Sequence, residues 1–324
     1  MDTIFEAIKI KKKRLDAYKP FPKVMGKNMR EWYKIELTYT SNAIEGNTLT
    51  RQETAQVVEK GITVEGKSVV EHLEAINHAK AFEFISNLSL KNTKDITEAV
   101  IRQIHQIILQ NIDSQNSGTY RSVPVRIAGS RVVLPNPLKI PYLMMEFVNW
   151  LQASNDNPVM IALLTHFKFV SIHPFVDGNG RCGRLLMNLI LMTYGYPPAI
   201  INNEDRRQYI KCIERAQVHD DLSGYEVFMA KNIEKSLDIY LDMLTTKEEQ
   251  AVPSKLLTIG QLAKSTGQTV STIRYWTKEG LLKVEKLSSG GYQLYSSSMI
   301  KKIKQVRALQ KEKRLTIAEL RNGL

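Results

Sequence analysis

The chain has 324 residues, two cysteines and a net charge of +12 from 45 Lys and Arg against 33 Asp and Glu. That length exceeds one comfortable core and implies two units, and 43% hydrophobic residues is ample for both. Two cysteines without CxxC spacing exclude a disulfide framework or a cysteine zinc site, and no apolar run is long enough to span a bilayer.

The N-terminal MDTIFEAIKIKKKRL carries its basic cluster after a short apolar stretch, the wrong order for a secretory signal, so the cytoplasm is the expected compartment. A helix is predicted over 30–45, ending in Ser41-Asn42-Ala43-Ile44-Glu45-Gly46. Gly46 suits a left-handed helix terminus, which leaves Glu45 in the last turn, where the dipole disfavours a negative charge. A tolerated surface Glu is one reading; the other is a partner cation, with Arg184 the obvious one. Thr50 and Glu53 form a capping box for a helix over 51–60, and helices follow at 68–88 and 97–111. After Gly118-Thr119-Tyr120-Arg121 comes VPVRIAGSRVVLPNP, whose alternation around Ala128-Gly129-Ser130 predicts a short β-hairpin near 120–134. Helices are expected again at 141–153 and 158–172.

His173 to Arg184 reads HPFVDGNGRCGR, the densest stretch of reactive chemistry in the chain. Gly178 and Gly180 permit turns that point successive N–H groups into one concavity, and the next helix adds its N-terminal amides and dipole. Arg181 and Arg184 share one helix face and can each fork onto phosphate oxygens. Asp177 makes sense beside phosphates if it holds Mg²⁺, and His173 can accept a proton at physiological pH. Cys182 reads as buried filler, and His105 and His166 as satisfied core residues. Helices at 181–194, 205–218 and 222–245 complete this part, with Tyr209 the candidate for adenine contact.

The polar stretch around Pro253 reads as a linker. From Val252 onward, fourteen Lys and Arg face four Asp and Glu, so +10 of the net charge lies there and only +2 in the first 251 residues. LTIGQLAKSTGQTVSTIRYWTKEGLL has helix-turn-helix grammar around Gly267, SSGGYQLY reads as a wing, and a basic helix follows. A basic surplus confined to such a module favours a nucleic-acid phosphate backbone, with docking of acidic proteins the competing role.

The loop resembles the Fic signature, H-x-F-x-D/E-G-N-G-R-x-x-R, at His173, Phe175, Asp177, Gly178, Asn179, Gly180, Arg181 and Arg184. The resemblance implies transfer of AMP from ATP to a Ser, Thr or Tyr hydroxyl of a protein, the enzyme's own chain among the candidates. It assigns His173 as base, Asp177 to Mg²⁺, Asn179 to Arg181 to the α- and β-phosphates, and Arg184 to the γ-phosphate. Ser41, Glu45 and Gly46 are similar to the family's inhibitory motif, S/T-x-x-x-E-G/N, which implies that Glu45 takes Arg184 from the γ-phosphate. The segment near 120–134 is similar to the family's flap, which pairs with a target's backbone like an added strand.

Residues from about Leu257 to Leu320 resemble the DNA-binding domain of the MerR family, which places Thr272, Arg274 and Tyr275 at the major groove and Tyr292 in the wing. Gln293 stands where that wing usually carries Arg, and a two-fold DNA site would need dimerisation through the first domain.

The expected fold is mainly α: a Fic-type helical core with a short hairpin flap, plus a small winged helix-turn-helix domain. Its expected divisions are 1–95 with the inhibitory helix at about 30–46, a catalytic core at 96–245, a linker at 246–255 and the MerR-like domain at 256–324. The expected function is an autoinhibited protein adenylyltransferase using ATP and Mg²⁺. The alternatives are a DNA-binding regulator with a nucleotide-sensing Fic domain, or an enzyme that removes AMP or transfers another nucleotide.

Overall fold

The structure is a computed structural model, and it describes residues 2–88, 90–127, 129–251, 256–287 and 293–313. The chain forms two compact units, residues 1–242 and 243–324. Helices dominate the first: α1 (Asp2–Ala17), α2 (Lys23–Glu45), α3 (Arg51–Lys60), α4 (Val69–Asn87), α5 (Glu98–Ile108), α6 (Ile140–Ala153), α7 (Pro158–Ile172), α8 (Asn179–Thr193), α9 (Arg206–His219) and α10 (Ser223–Ala251). Among the described residues no helix is long and apolar enough to cross a membrane.

Capping chemistry sets many of these boundaries. Thr50 accepts from the Glu53 amide while the Glu53 carboxylate accepts from the Thr50 amide, closing the expected box at the start of α3. Ser68 and Glu71 repeat the device at α4, and Asn157 with Pro158 starts α7. Gly46 ends α2 at φ +104, its amide returning to the Ala43 carbonyl.

Two helices exceed the expectation. Helix α2 starts at Lys23, directly after Pro22, so Pro and not the apolar pattern sets its first turn. Helix α10 runs to Ala251, so 246–251 of the expected linker is helical; Lys, Glu, Gln and Ala favour helix, and no Gly or Pro interrupts before Pro253. Helix α1 was not foreseen, although Ile8 and Leu15, seven apart, are both buried. The segments 1–95 and 96–242 share one compact unit.

The core of the first unit centres on α7 and α8, which lie close enough that a side chain at Gly183 would press Val170 Cγ1 at 3.0 Å and the rings of His166 and Phe169 at 3.3 Å. Leu186, Leu189 and Ile190 of α8 and Leu163 and Phe169 of α7 are buried around that contact. Between α5 and α6 the expected hairpin doubles back, with the Ser130 amide on the Ile127 carbonyl at 3.1 Å, but no strand ladder forms among its described residues. Its legs are held by side chains instead, as described below.

The second unit contains β1 (Leu257–Thr258), α11 (Ile259–Thr266), α12 (Val270–Lys278), β2 (Lys286–Leu287), β3 (Gln293–Tyr295) and α13 (Ser298–Lys313). Its antiparallel sheet has the order β1-β3-β2, with Leu257 opposite Tyr295 and Lys286 opposite Leu294. Trp276, Ile273, Leu262, Tyr295 and Ile303 make its separate core. That is the helix-turn-helix expected from the sequence; of the expected wing over 288–295, residues 288–292 lie outside the described residues.

The α7–α8 approach makes Gly183 a test of packing. Gly183→Ala should cost about 1–3 kcal/mol of stability by overpacking, and Val170→Ala in the same chain should restore part of it, as read by urea midpoints.

Candidate active site

Helix α7 ends with His173 in the left-handed region at φ +52, which turns the chain out of the helix and into the motif loop. Gly178, at φ +76, starts α8, and a Cβ there would meet the His105 ring at 3.3 Å. The loop is braced from inside. The Asn179 side chain accepts from the Phe175 amide at 3.0 Å and donates to its carbonyl at 2.9 Å. His105 stacks on Phe175 with ring centroids 3.5 Å apart, donates from Nε2 to the Asp177 carbonyl at 2.9 Å, and accepts at Nδ1 from Gly118 at 3.0 Å. Both nitrogens are therefore used by a neutral ring, and burial holds its pKa down at about 4.

His173 is half-buried. Its Nδ1 lies 3.3 Å from the Val170 carbonyl, which can only accept, so the proton sits there and Nε2 keeps its lone pair. Burial lowers its pKa and the Arg121 cation adds to that, against the Val170 carbonyl and the Glu45 and Asp177 charges. Arg121, itself buried, gives Nε to the His173 carbonyl at 2.8 Å, and its other nitrogens reach the carbonyls of Val123 and Pro135. Thus one guanidinium joins both legs of the flap to the motif loop. Glu214 on α9 fixes the flap tip, accepting from Ser130 Oγ at 3.0 Å and the Arg131 amide at 2.9 Å.

Between flap, α8, α9 and the end of α2 lies a cleft of about 310 Å³, lined among others by Glu45, His173, Gly180, Arg184, Tyr209 and Gln217. Helix α8 opens on it with no capping side chain and no acidic residue in its first turn. Its dipole therefore meets no carboxylate of its own helix there.

One buried cation in this cleft joins two helices. Arg184, 5% exposed, donates to Glu45 Oε1 at 2.6 Å and to Ser41 Oγ and the Ser41 carbonyl at 2.9 Å each. The expected pairing of Glu45 with Arg184 is thus present as a contact, and Ser41 joins it. Arg206 donates to the Ile44 carbonyl, so the C-terminal end of α2 faces two cations. At Gly180 α8 passes close to Glu45: a methyl group there would collide with the Glu45 carboxylate and lie 3.1 Å from Arg184 Nη1.

Tyr209 lines the cleft but is 3% exposed, and its hydroxyl is engaged elsewhere than on a base. The Tyr225 hydroxyl donates to the Leu163 carbonyl at 2.9 Å, so it accepts from His166 Nδ1 at 2.8 Å. His166 Nε2 then accepts from Tyr209 at 2.7 Å, whose oxygen is left to receive Arg184 Nη1 at 3.4 Å. Every proton in that chain has one direction, and burial holds the His166 pKa down at about 3.

Arg181 is also occupied. It donates to Glu74 on α4 at 2.7 Å and to Asp177 at 3.0 Å. Glu74 in turn accepts from Asn47, just past the end of α2. The Asp177 carboxylate is 65% exposed, and Cys182 is buried with its thiol pKa pushed up, an inert filler. Glu74, Arg121, Glu214, Arg206 and Tyr225 carry no signal of their role in the sequence, because each acts across a tertiary contact; His166 is the satisfied core residue expected.

In the second unit, Arg274 and Tyr275 are exposed on α12 and Thr272 is half-buried, its hydroxyl 2.8 Å from Thr269 Oγ1. Gln293 accepts from the Tyr295 hydroxyl at 2.8 Å, so its amide is tied into the base of the wing. Tyr292 lies outside the described residues.

Residues 257–324 match the profile described as "MerR HTH family regulatory protein", and residues 95–191 that of the Fic/DOC family. The protein adenylyltransferase Fic of Drosophila grimshawi is 40% identical over 223 residues, 68% of this chain and 45% of that protein. The chain thus spans less than half the length of that relative. Fic-1 of C. elegans has a similar structure, with a TM-score of 0.65 and 30% identity over 74% of this chain and 71% of its own. A Fic domain containing signaling protein from Bacteroides thetaiotaomicron matches with a TM-score of 0.66 and 30% identity, over 72% of this chain and 94% of its own. Motif, fold and relatives agree: the chain belongs to the Fic/DOC family.

Proposed function

We propose that the cleft binds ATP and transfers AMP to a hydroxyl of a protein, and that Glu45 holds this activity down. The relatives named protein adenylyltransferase Fic support the reaction. The observation that carries the regulation is the buried Arg184 guanidinium, whose charge is met by Glu45 in the same cleft as His173. In the step, the acceptor oxygen attacks the α-phosphorus, His173 Nε2 takes the hydroxyl proton, and the bond to the bridging oxygen breaks to release pyrophosphate. The amides at the start of α8 suit the phosphates, and Arg184 suits the γ-phosphate once Glu45 leaves it. Asp177 is the exposed carboxylate that would hold Mg²⁺; a single protein carboxylate fits an ion that takes most of its ligands from phosphate and water. The ion would offset negative charge between the phosphates.

The lock acts by geometry. With Arg184 engaged, a triphosphate would lose its terminal anchor, and an error of about 1 Å at the reacting atom costs roughly a hundredfold in rate. A DNA-binding regulator is the second reading, favoured by the MerR match and by Arg274 and Tyr275 standing exposed on α12.

Glu45→Gly should therefore raise label transfer from α-labelled ATP to self or target by about a hundredfold, and adding His173→Ala should abolish it. Because burial lowers the His173 pKa, the base stays neutral to lower pH than a free imidazole. The acid limb of that variant's rate profile should fall below about pH 6.5, the ordinary histidine value. Transfer that is unchanged by Glu45→Gly would remove the inhibitory role.

Gly180→Ala should loosen the same contact. It is expected to lower stability by about 1–3 kcal/mol when Glu45 is present and by much less beside Glu45→Gly, a coupling measurable by a double-mutant cycle. For the second reading, Arg274→Ala in the full chain should weaken duplex DNA binding and reduce the salt slope by about one, read by anisotropy titrations.

A further inference from the structure

Past the flap tip the cleft continues into a wider hollow of about 760 Å³, the two sharing Gly129 and Glu214. The hollow is walled by Arg131 on the flap and by Lys211, Arg215 and His219 on α9. Residues four apart stack along one helix face, so Lys211, Arg215 and His219 form a stripe that Arg207 extends by one turn. All five of these side chains are exposed. Helix α9 thus turns Tyr209, Ile213 and Gln217 toward the cleft and a row of basic groups toward the hollow.

The acids nearby offset only part of this charge. Glu214 uses its carboxylate to hold Ser130 and the Arg131 amide, and Asp221 pairs with Arg215 at 2.8 Å. Among the described residues Arg131, Arg207 and Lys211 have no ion-pair partner within 4.0 Å. The first 251 residues carry a surplus of only +2, so several cations gathered at one mouth are a local concentration and not the background of a basic chain.

We propose that this hollow receives acidic side chains flanking the acceptor hydroxyl, so that the protein selects substrates whose acceptor has Asp or Glu neighbours. The inference rests on the AMP-transfer reading of the adjoining cleft. A polypeptide that brings a hydroxyl to His173 beneath the flap continues past the flap tip, where Arg131 and Lys211 face it. Nucleic acid fits less well. The hollow is lined by no Phe, Tyr or Trp on which a base could stack, and the Glu214 carboxylate lies in its wall. Exposed cations of this kind act mainly on encounter and specificity and weaken as salt shortens the Debye length.

The test uses the full chain with Glu45→Gly, ATP and Mg²⁺, and synthetic peptide pools with one Ser, Thr or Tyr acceptor. The flanks are Asp and Glu, Lys and Arg, or Gln, and mass spectrometry gives kcat/KM for each pool. The acid-flanked pool should lead the Gln-flanked pool by about tenfold at about 0.05 M salt and by much less at about 0.5 M. Lys211→Glu with Arg215→Glu should erase or invert that order without changing the Gln-flanked rate. Lys211→Arg with Arg215→Lys should preserve it. In parallel, anisotropy of a fluorescent acid-flanked peptide without ATP should show weaker binding to the charge-reversed chain. Equal rates for all pools beside intact self-labelling overturn the inference alone, as does peptide binding indifferent to the reversal. A reversal that lowers retention of a single-stranded RNA oligonucleotide and leaves the peptide untouched overturns it in favour of nucleic acid. No label on any peptide or on the chain itself removes the AMP-transfer reading, and this inference with it.

Discussion

A buried guanidinium must be satisfied, and the site is organised around that requirement at Arg184. Left alone at 5% exposure, such a charge would carry a large desolvation cost. Here α2 supplies a carboxylate, a hydroxyl and a carbonyl from a single turn and a half, while α9 supplies the Tyr209 oxygen. The contact therefore ties α2 to α8 and α9, which lie well over a hundred residues further along the chain. It also explains why an acidic residue is tolerated at the C-terminal end of α2, where the helix dipole opposes it. Arg206 on the neighbouring Ile44 carbonyl relieves the same end.

A second cation, Arg181, is treated the same way by Glu74 and Asp177, and Glu74 is shared with Asn47. The chain segment around Gly46 thus reaches both arginines of the motif, one through Glu45 and one through Asn47 and Glu74. A displacement of the α2 terminus would be felt at both positions. Beneath them, His105 and Asn179 hold the loop by bonds that leave no spare donor or acceptor on either imidazole nitrogen.

Much of this was legible in the sequence, and the pattern of success has a physical reason. The motif loop could be read because its residue types lie side by side and its glycines mark backbone turns. Ser41, Glu45 and Gly46 could be read because a helix end constrains them locally. Helix α3 followed from Thr50 and Glu53 alone. Glu74, Arg121 and Glu214 could not be read, since a Glu or Arg on a helix or loop looks solvated until the fold places a partner opposite. Tyr209, the candidate for adenine contact, lines the cleft, and the bonds of its hydroxyl to His166 and Arg184 could not be read either. The flap's alternation suggested a ladder, but its legs are held by guanidinium and carboxylate contacts that no period-two pattern encodes.

Arg121 has a mechanical consequence. Its three nitrogens grip the carbonyls of His173, Val123 and Pro135, so the imidazole-bearing turn and the two roots of the flap share one rigid fulcrum. The turn beyond those roots is fastened separately, by the Glu214 carboxylate on Ser130 Oγ and the Arg131 amide. The outer turn and the His173 turn are thus held by different side chains, so a change at Glu214 leaves the Arg121 grip on the His173 carbonyl in place.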